Sequence, residues 1–184
     1  MVQGGLFFPA HISMAHSRKK IAILVEDLYQ VLEIWYPYLR LKEDGIEPVL
    51  IGTGTKETYG SKEGYPCKVH QSIQKIKPEE FDGVIIPGGY APDILRRYPE
   101  VIDFVKELYK KGKIVASICH GGWVLVSADI IKGKNVTSFF AIKDDLIAAG
   151  GKYSDEEVVV DGHLITSRKP EDLPVFMKEI IKQL

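Results

Sequence analysis

The sequence predicts an α/β fold with a mostly parallel sheet and helices on both faces. Three observations predict it. Apolar runs of strand length recur at residues 21–25, 81–86 and 114–118 without the polar alternation of a half-exposed strand. Stretches of helical periodicity separate them, and strands alternating with helices are the signature of a parallel sheet. Glycine-rich turns, Pro87-Gly88-Gly89 and Cys119-His120-Gly121-Gly122, close two of the runs on the side where such folds keep their sites.

The elements follow in order. After the run at 21–25, Leu28, Val31, Leu32, Trp35 and Leu39 recur at helical spacing. They predict an amphipathic helix ending near Asp44-Gly45, kinked or split by Pro37. Residues 48–51 form the second strand. The Gly- and Thr-rich stretch 52–64 predicts a loop and a small hairpin running to Val69. Val101, Ile102, Val105, Leu108 and Tyr109 mark a helix stopped by Gly112. Residues 123–128 and 146–149 are helical. A hairpin with the favoured Asp161-Gly162 turn follows, and Leu173, Phe176, Met177, Ile180, Ile181 and Leu184 define a last amphipathic helix.

Length and charge narrow the function. The 184 residues suit one domain, and 45% hydrophobic with 27% charged residues is an ordinary globular composition. Residues 20–184 are expected to form that single domain. A formal net charge of −1 disfavours nucleic acid or an anionic membrane as the main partner. No apolar stretch approaches the ~20 residues needed to cross a bilayer. Two cysteines build no disulfide framework, and no Cys/His spacing suggests zinc, so a reducing cytoplasm is the expected compartment. Residues 1–19 read as a loose extension. Its apolar stretch is broken by Pro9 and His11, and positive charge comes only afterwards, at Arg18, Lys19 and Lys20, unlike a secretory signal. Met14 is an alternative start, and His11 and His16 carry no functional claim.

Chemistry concentrates at two strand ends. Gly88 and Gly89 allow backbone N–H groups to face a ligand unobstructed, as an oxyanion site requires. Cys119 ends a buried run, and the small residues after it allow a sharp turn into a helix, the logic of a nucleophile elbow with a thiol. A helix N-terminus would favour the thiolate. The bland alternatives are a tight turn for the glycines and a buried apolar thiol for the cysteine. His120, Gly121 and Gly122 are poor packing choices and good site choices. Cys67 reads as structural, and His70 and His163 as surface residues. Arg96, Arg97 and Tyr98 suit either a subunit contact or a solvated helix end. Glu26-Asp27-Leu28 stands where a nucleotide-binding fold would place a glycine-rich turn, so no cofactor or metal is expected.

Four pieces in this order resemble the PfpI-type branch of the DJ-one/PfpI superfamily. They are Tyr36-Pro37-Tyr38-Leu39-Arg40-Leu41-Lys42-Glu43, Pro87-Gly88-Gly89-Tyr90-Ala91-Pro92-Asp93, Ala116-Ser117-Ile118-Cys119-His120-Gly121, and Val158-Val159-Val160-Asp161-Gly162 with Thr166-Ser167-Arg168. The resemblance implies a flavodoxin-like three-layer sandwich. It implies intracellular cysteine peptidase, glyoxalase or deglycase activity, or a stress-protective role. Cys119 would be the nucleophile and His120 the base, with backbone N–H groups of Gly88, Gly89 and His120 around an oxyanion. It further implies a homo-oligomer, dimer to hexamer, in which Asp93 of a neighbouring subunit completes the triad. The family's first-helix glutamate maps onto Gln30, which implies a lost proton shuttle and weak glyoxalase chemistry unless Glu26 substitutes.

Three functions are weighed on this basis. One is a cysteine hydrolase acting on peptide bonds or methylglyoxal adducts. Another is a redox sensor or protective chaperone that uses Cys119 oxidation without turnover. The last, a glutaminase of the class I amidotransferase type, is disfavoured because Ile165 stands where an acid should follow His163.

Overall fold

The computed structural model describes residues 18–184. The expected extension, with His11, His16 and Met14, lies almost wholly outside them.

The apolar runs become the centre of a seven-stranded sheet. In chain order its members begin with β1 (Lys20–Val25), helix α1 (Val31–Glu43) and β2 (Glu47–Gly52). The hairpin of β3 (Thr58–Gly60) and β4 (Pro66–Lys68) stands apart from the sheet, before the short β5 (Gln71–Ser72). Then come β6 (Gly83–Ile86), α2 (Ala91–Leu95), α3 (Pro99–Lys110), β7 (Ile114–Ile118) and α4 (Gly122–Ser127). A small two-stranded pair, β8 (Asn135–Val136) and β9 (Lys152–Tyr153), brackets α5 (Lys143–Ala148). The hairpin of β10 (Val158–Asp161) and β11 (Leu164–Ser167) precedes α6 (Leu173–Lys182).

The sheet order is β10-β11-β7-β6-β1-β2-β5, parallel throughout except where β10 turns back on β11. Residues 21–25, 84–86 and 114–118 are all buried, as strands covered on both faces must be. This is the mostly parallel α/β sandwich the sequence predicts. Among the described residues no helix is long and apolar enough to cross a membrane.

Two expectations for α1 need correction. The helix runs unbroken from Val31 to Glu43 through Pro37, which is buried rather than a point of division. Its buried face is also not the expected one. Leu28, Leu32 and Leu39 are 44%, 51% and 61% exposed, while Glu33, Ile34, Pro37 and Leu41 face the core. Of the apolar stripe chosen from periodicity only Val31 and Trp35 pack against the core, and the fully buried face beside them carries a carboxylate.

The topology sets the site. β6 lies between β1 and β7, with Ile86 beside Ser117 and Ile23 beside Ile85. The turns after β6 and β7 therefore emerge side by side. An isolated bridge joins Tyr29, just past β1, to Gly89, and another joins Tyr29 to Ser61 on the β3–β4 hairpin.

Candidate active site

Cys119 ends β7 on a single residue with φ +60°, a left-handed conformation that L side chains rarely adopt. Such strain persists only where the surroundings enforce it. Two residues on, Gly121 lets the turn pack against β6, because a Cβ there would lie 2.6 Å from the Ile86 carbonyl oxygen. The chain then makes one 3-10 turn, Cys119–Gly121, before α4 begins.

The sulfur does not stand alone. His120 places Nδ1 3.2 Å from Cys119 Sγ. Backbone N–H groups of Gly89 and His120 pull the thiol pKa down, against its burial. Gly89 has φ +76°, and a Cβ on it would meet the Leu28 carbonyl oxygen at 2.4 Å. Only glycine brings that N–H to the thiol.

The Gln30 assignment is corrected by the placement of Glu33. Gln30 is the N-cap of α1, and its Oε1 accepts the Glu33 backbone N–H at 3.0 Å. Glu33 itself is fully buried and aims its carboxyl group at the cysteine. Its Oε2 accepts the Gly88 N–H at 2.6 Å. A Cβ on Gly88 would lie 2.7 Å from that oxygen and 3.0 Å from Cys119 Sγ, so carboxyl and thiol flank the same glycine. The carboxyl group expected to be missing is present three residues along. Glu26 is not a substitute: it is buried against Thr53 and the Asp27 N–H, in a separate network. Gly88 is likewise corrected as an oxyanion donor, because its N–H is already given to Glu33.

Charge state follows from this packing. Burial raises the Glu33 carboxyl to about 7, against the pull of the Gly88 N–H, the thiol and Lys62. Cys119 is 8% exposed. Burial, and then the Glu33 charge, push its thiol up to about 12, opposed by the N–H groups of Gly89 and His120. The thiolate-favouring helix N-terminus expected from the sequence is outweighed here. α4 spans only Gly122–Ser127, too little dipole to outweigh burial beside a carboxylate. Cysteine and glutamate titrate as a pair. Once the first proton has left, the remaining one sits on sulfur or on oxygen. With the proton on oxygen, the carboxyl O–H donates to a thiolate, and that arrangement is the nucleophilic one. Burial lowers the His120 pKa, so the imidazole is neutral and able to take a proton.

Several other positions are settled by contacts. Asp93 pairs with Arg97 one turn on and makes no hydrogen bond to His120 within the chain. Arg96 lies over the Trp123 ring and donates to Ser127 Oγ at 2.9 Å, so it belongs to the molecule's own packing. Cys67 is buried, with its thiol raised to about 11 by burial alone. His70 accepts the Leu50 N–H at 2.9 Å, and His163 is half-buried against Tyr109 rather than a surface residue. Lys62 was not singled out by the sequence. It sits on the β3–β4 hairpin, its N–H donates to the Tyr29 carbonyl at 3.0 Å, and its charge is felt by Glu33, Cys119 and His120 alike. Nothing in a loop lysine marks it before folding.

A model of the DJ-1/PfpI family matches residues 19–183. The chain belongs to the DJ-1/PfpI family. A deglycase of Pyrococcus horikoshii is 42% identical over 165 residues, covering 90% of this chain and 99% of that protein. The protein/nucleic acid deglycase 2 of Escherichia coli is 38% identical over 168 residues, 90% of this chain and 98% of its own. The crystal structure of DJ-1 from Schizosaccharomyces pombe superposes with a TM-score of 0.83 at 26% identity, over 90% of this chain and 91% of that one. The elbow, the glycine turn and the first-helix carboxylate described above all lie inside the matched span.

Two substitutions test this geometry. Gly88→Ala drives a Cβ to 2.6 Å from the Cys119 Cβ, so either the elbow or the Glu33 contact must move. Loss of activity with destabilisation of roughly 1–3 kcal/mol is expected in denaturant melts, the usual range for overpacking. Gln30→Glu is expected to leave methylglyoxal turnover unchanged, because Glu33 already supplies the carboxyl group. A clear gain in that assay would restore the assignment to position 30.

Proposed function

We propose that the protein is a cysteine-dependent hydrolase of the deglycase type, acting on methylglyoxal adducts. The observation that carries this reading is Cys119, held at φ +60° with Glu33 and His120 both beside its sulfur. A peptide-bond hydrolase needs a base and an oxyanion site. It has no step that requires a second, buried proton carrier against the nucleophile. Isomerising a carbonyl adduct does require one.

His120 takes the Cys119 thiol proton, the sulfur forms a C–S bond to the aminocarbinol carbon as the C–N bond breaks, and the resulting imidazolium gives that proton to the departing amine. This gives a hemithioacetal. Glu33 then moves the hydrogen on that carbon, as a proton, to the neighbouring carbonyl carbon through an enediol, leaving a thioester. Gly89 and His120 N–H groups hold the developing oxyanion. Water, deprotonated by His120, cleaves the thioester to lactate and restores the thiol. Free methylglyoxal enters at the hemithioacetal by direct addition.

A homo-oligomer belongs to this reading. Leu28, Leu32 and Leu39 make an exposed apolar face on and beside α1, suited to a second copy of the chain. Asp93 would reach the histidine of a neighbouring copy, since it does not bond to His120 of its own chain. The sensing alternative needs an accessible thiol of low pKa, whereas burial leaves Cys119 8% exposed and raises its thiol, and Glu33 removes the added argument from a missing carboxyl at position 30. The deciding experiment follows lactate and free amine released from a methylglyoxal–amine adduct, alongside peptide hydrolysis, on a sample of known native mass. Stoichiometric lactate and amine support the reading. Peptide cleavage without lactate contradicts it.

A further inference from the structure

His120 must keep Nδ1 on the sulfur, yet among the described residues no carboxylate hydrogen-bonds its ring. Two aromatic side chains contact that ring instead. The Trp123 centroid lies 5.1 Å away in an edge arrangement at 65°, and the Phe139 centroid lies 5.1 Å away at 31°. Both are themselves anchored. Trp123 Nε1 donates to Asp145 Oδ2 at 2.8 Å, and the Arg96 guanidinium sits 5.9 Å from its ring centroid. The Phe139 N–H donates to the Cys119 carbonyl oxygen at 3.3 Å, which ties this segment to the elbow itself, and its ring packs on Phe140 at 4.6 Å.

We propose that Trp123 and Phe139 are positioning residues, an aromatic brace that fixes the His120 imidazole against the Cys119 sulfur. Hydrogen-bonded acids usually perform this task for a catalytic histidine. Here ring packing holds the imidazole from within the chain, and Asp93 of a neighbouring copy would add to it. The geometry explains why three aromatic residues, one of them the 69% exposed Phe140, gather beside a single histidine. Edge-to-face and offset contacts of this kind favour particular ring orientations beyond the area they bury. Burial, to which this packing contributes, and then the Lys62 charge lower the His120 pKa and keep the ring neutral.

The catalytic consequence rests on the hydrolase reading, but the ring's orientation and titration do not, so the two can fail separately. Phe139→Leu and Trp123→Leu are compared with the conservative Phe139→Tyr and Trp123→Phe. The His120 ring is titrated by NMR in each. In the Leu variants we expect the His120 pKa to rise towards its ordinary value. We also expect kcat on the methylglyoxal adduct to fall on the order of 10- to 100-fold with KM little changed, as for a displaced catalytic group. The conservative variants should recover most of both. An unchanged His120 titration and unchanged kcat in the Leu variants overturn the brace. If Trp123→Leu does not fold, Phe139→Leu decides alone, and a wild-type His120 pKa at or above that of free histidine also counts against it. Turnover that survives in Cys119→Ser would instead overturn the hydrolase reading and leave the titration result standing.

Discussion

Cys119→Ser is expected to abolish turnover of methylglyoxal adducts while leaving the fold intact. The sulfur is the only nucleophile at the elbow. A hydroxyl in its place is a far weaker nucleophile than the thiol, because it holds its proton much more tightly. Loss on the order of a thousand-fold or more is expected, as when a nucleophile is removed from a preorganised site. The exchange is close to isosteric, so thermal unfolding should be nearly unchanged. Lactate release measures the first expectation and a melting curve the second.

Glu33→Gln is expected to move activity and stability in opposite directions. Turnover should fall by roughly 100- to 10,000-fold, the range for a lost proton carrier. Stability should rise at pH 8. Burial raises the folded-state pKa of Glu33 from 4.5 to about 7, so the folded protein holds this proton more tightly than the unfolded chain does. The resulting stabilisation is complete below pH 4.5 and lost as pH rises through 7. At pH 8 the wild type carries a buried, ionised carboxylate with one oxygen lacking any hydrogen-bond partner among the described residues. The shift corresponds to about 3 kcal/mol between the two ends of that window. Glutamine keeps an oxygen for the Gly88 N–H and carries no charge. Denaturant melts of both proteins should therefore differ most at pH 8 and converge towards pH 4.5. This is the stability–activity conflict expected of a site that holds a charge where packing alone would exclude it.

The sheet was largely legible because strands buried on both faces leave continuous apolar runs, and Ile21 to Val25 or Ile114 to Ile118 admit few other readings. The elbow was legible because Cys119 is followed by two glycines, a choice that only a sharp turn explains. The first-helix carboxylate was misplaced for a physical reason. Leu28, Val31, Leu32, Trp35 and Leu39 form a good apolar stripe, but its leucines are exposed and only Val31 and Trp35 pack on the core, and periodicity does not say which of two apolar faces is buried deepest. The informative signal was Glu33 in register with Ile34, Pro37 and Leu41, a charge among core positions. Gly88 was read as a donor, but close approach of Glu33 consumes its N–H, which only the tertiary structure reveals. Lys62 and Phe139 come from segments distant in sequence, brought to the cysteine by the hairpin and the loop after β8. No local pattern marks such residues.

The account centres on one proton shared by a buried carboxyl and a thiol. Its most direct test is the pH dependence of Cys119 alkylation by iodoacetamide, followed by intact mass in wild type and Glu33→Gln. Burial and the Glu33 charge raise the thiol, so the wild-type rate should reach its midpoint well above the free-cysteine value, and the midpoint should move downward in the variant, which removes that charge. A midpoint at the free-cysteine value of about 8.5, identical in both proteins, would show that Glu33 and Cys119 ionise independently and would contradict the account.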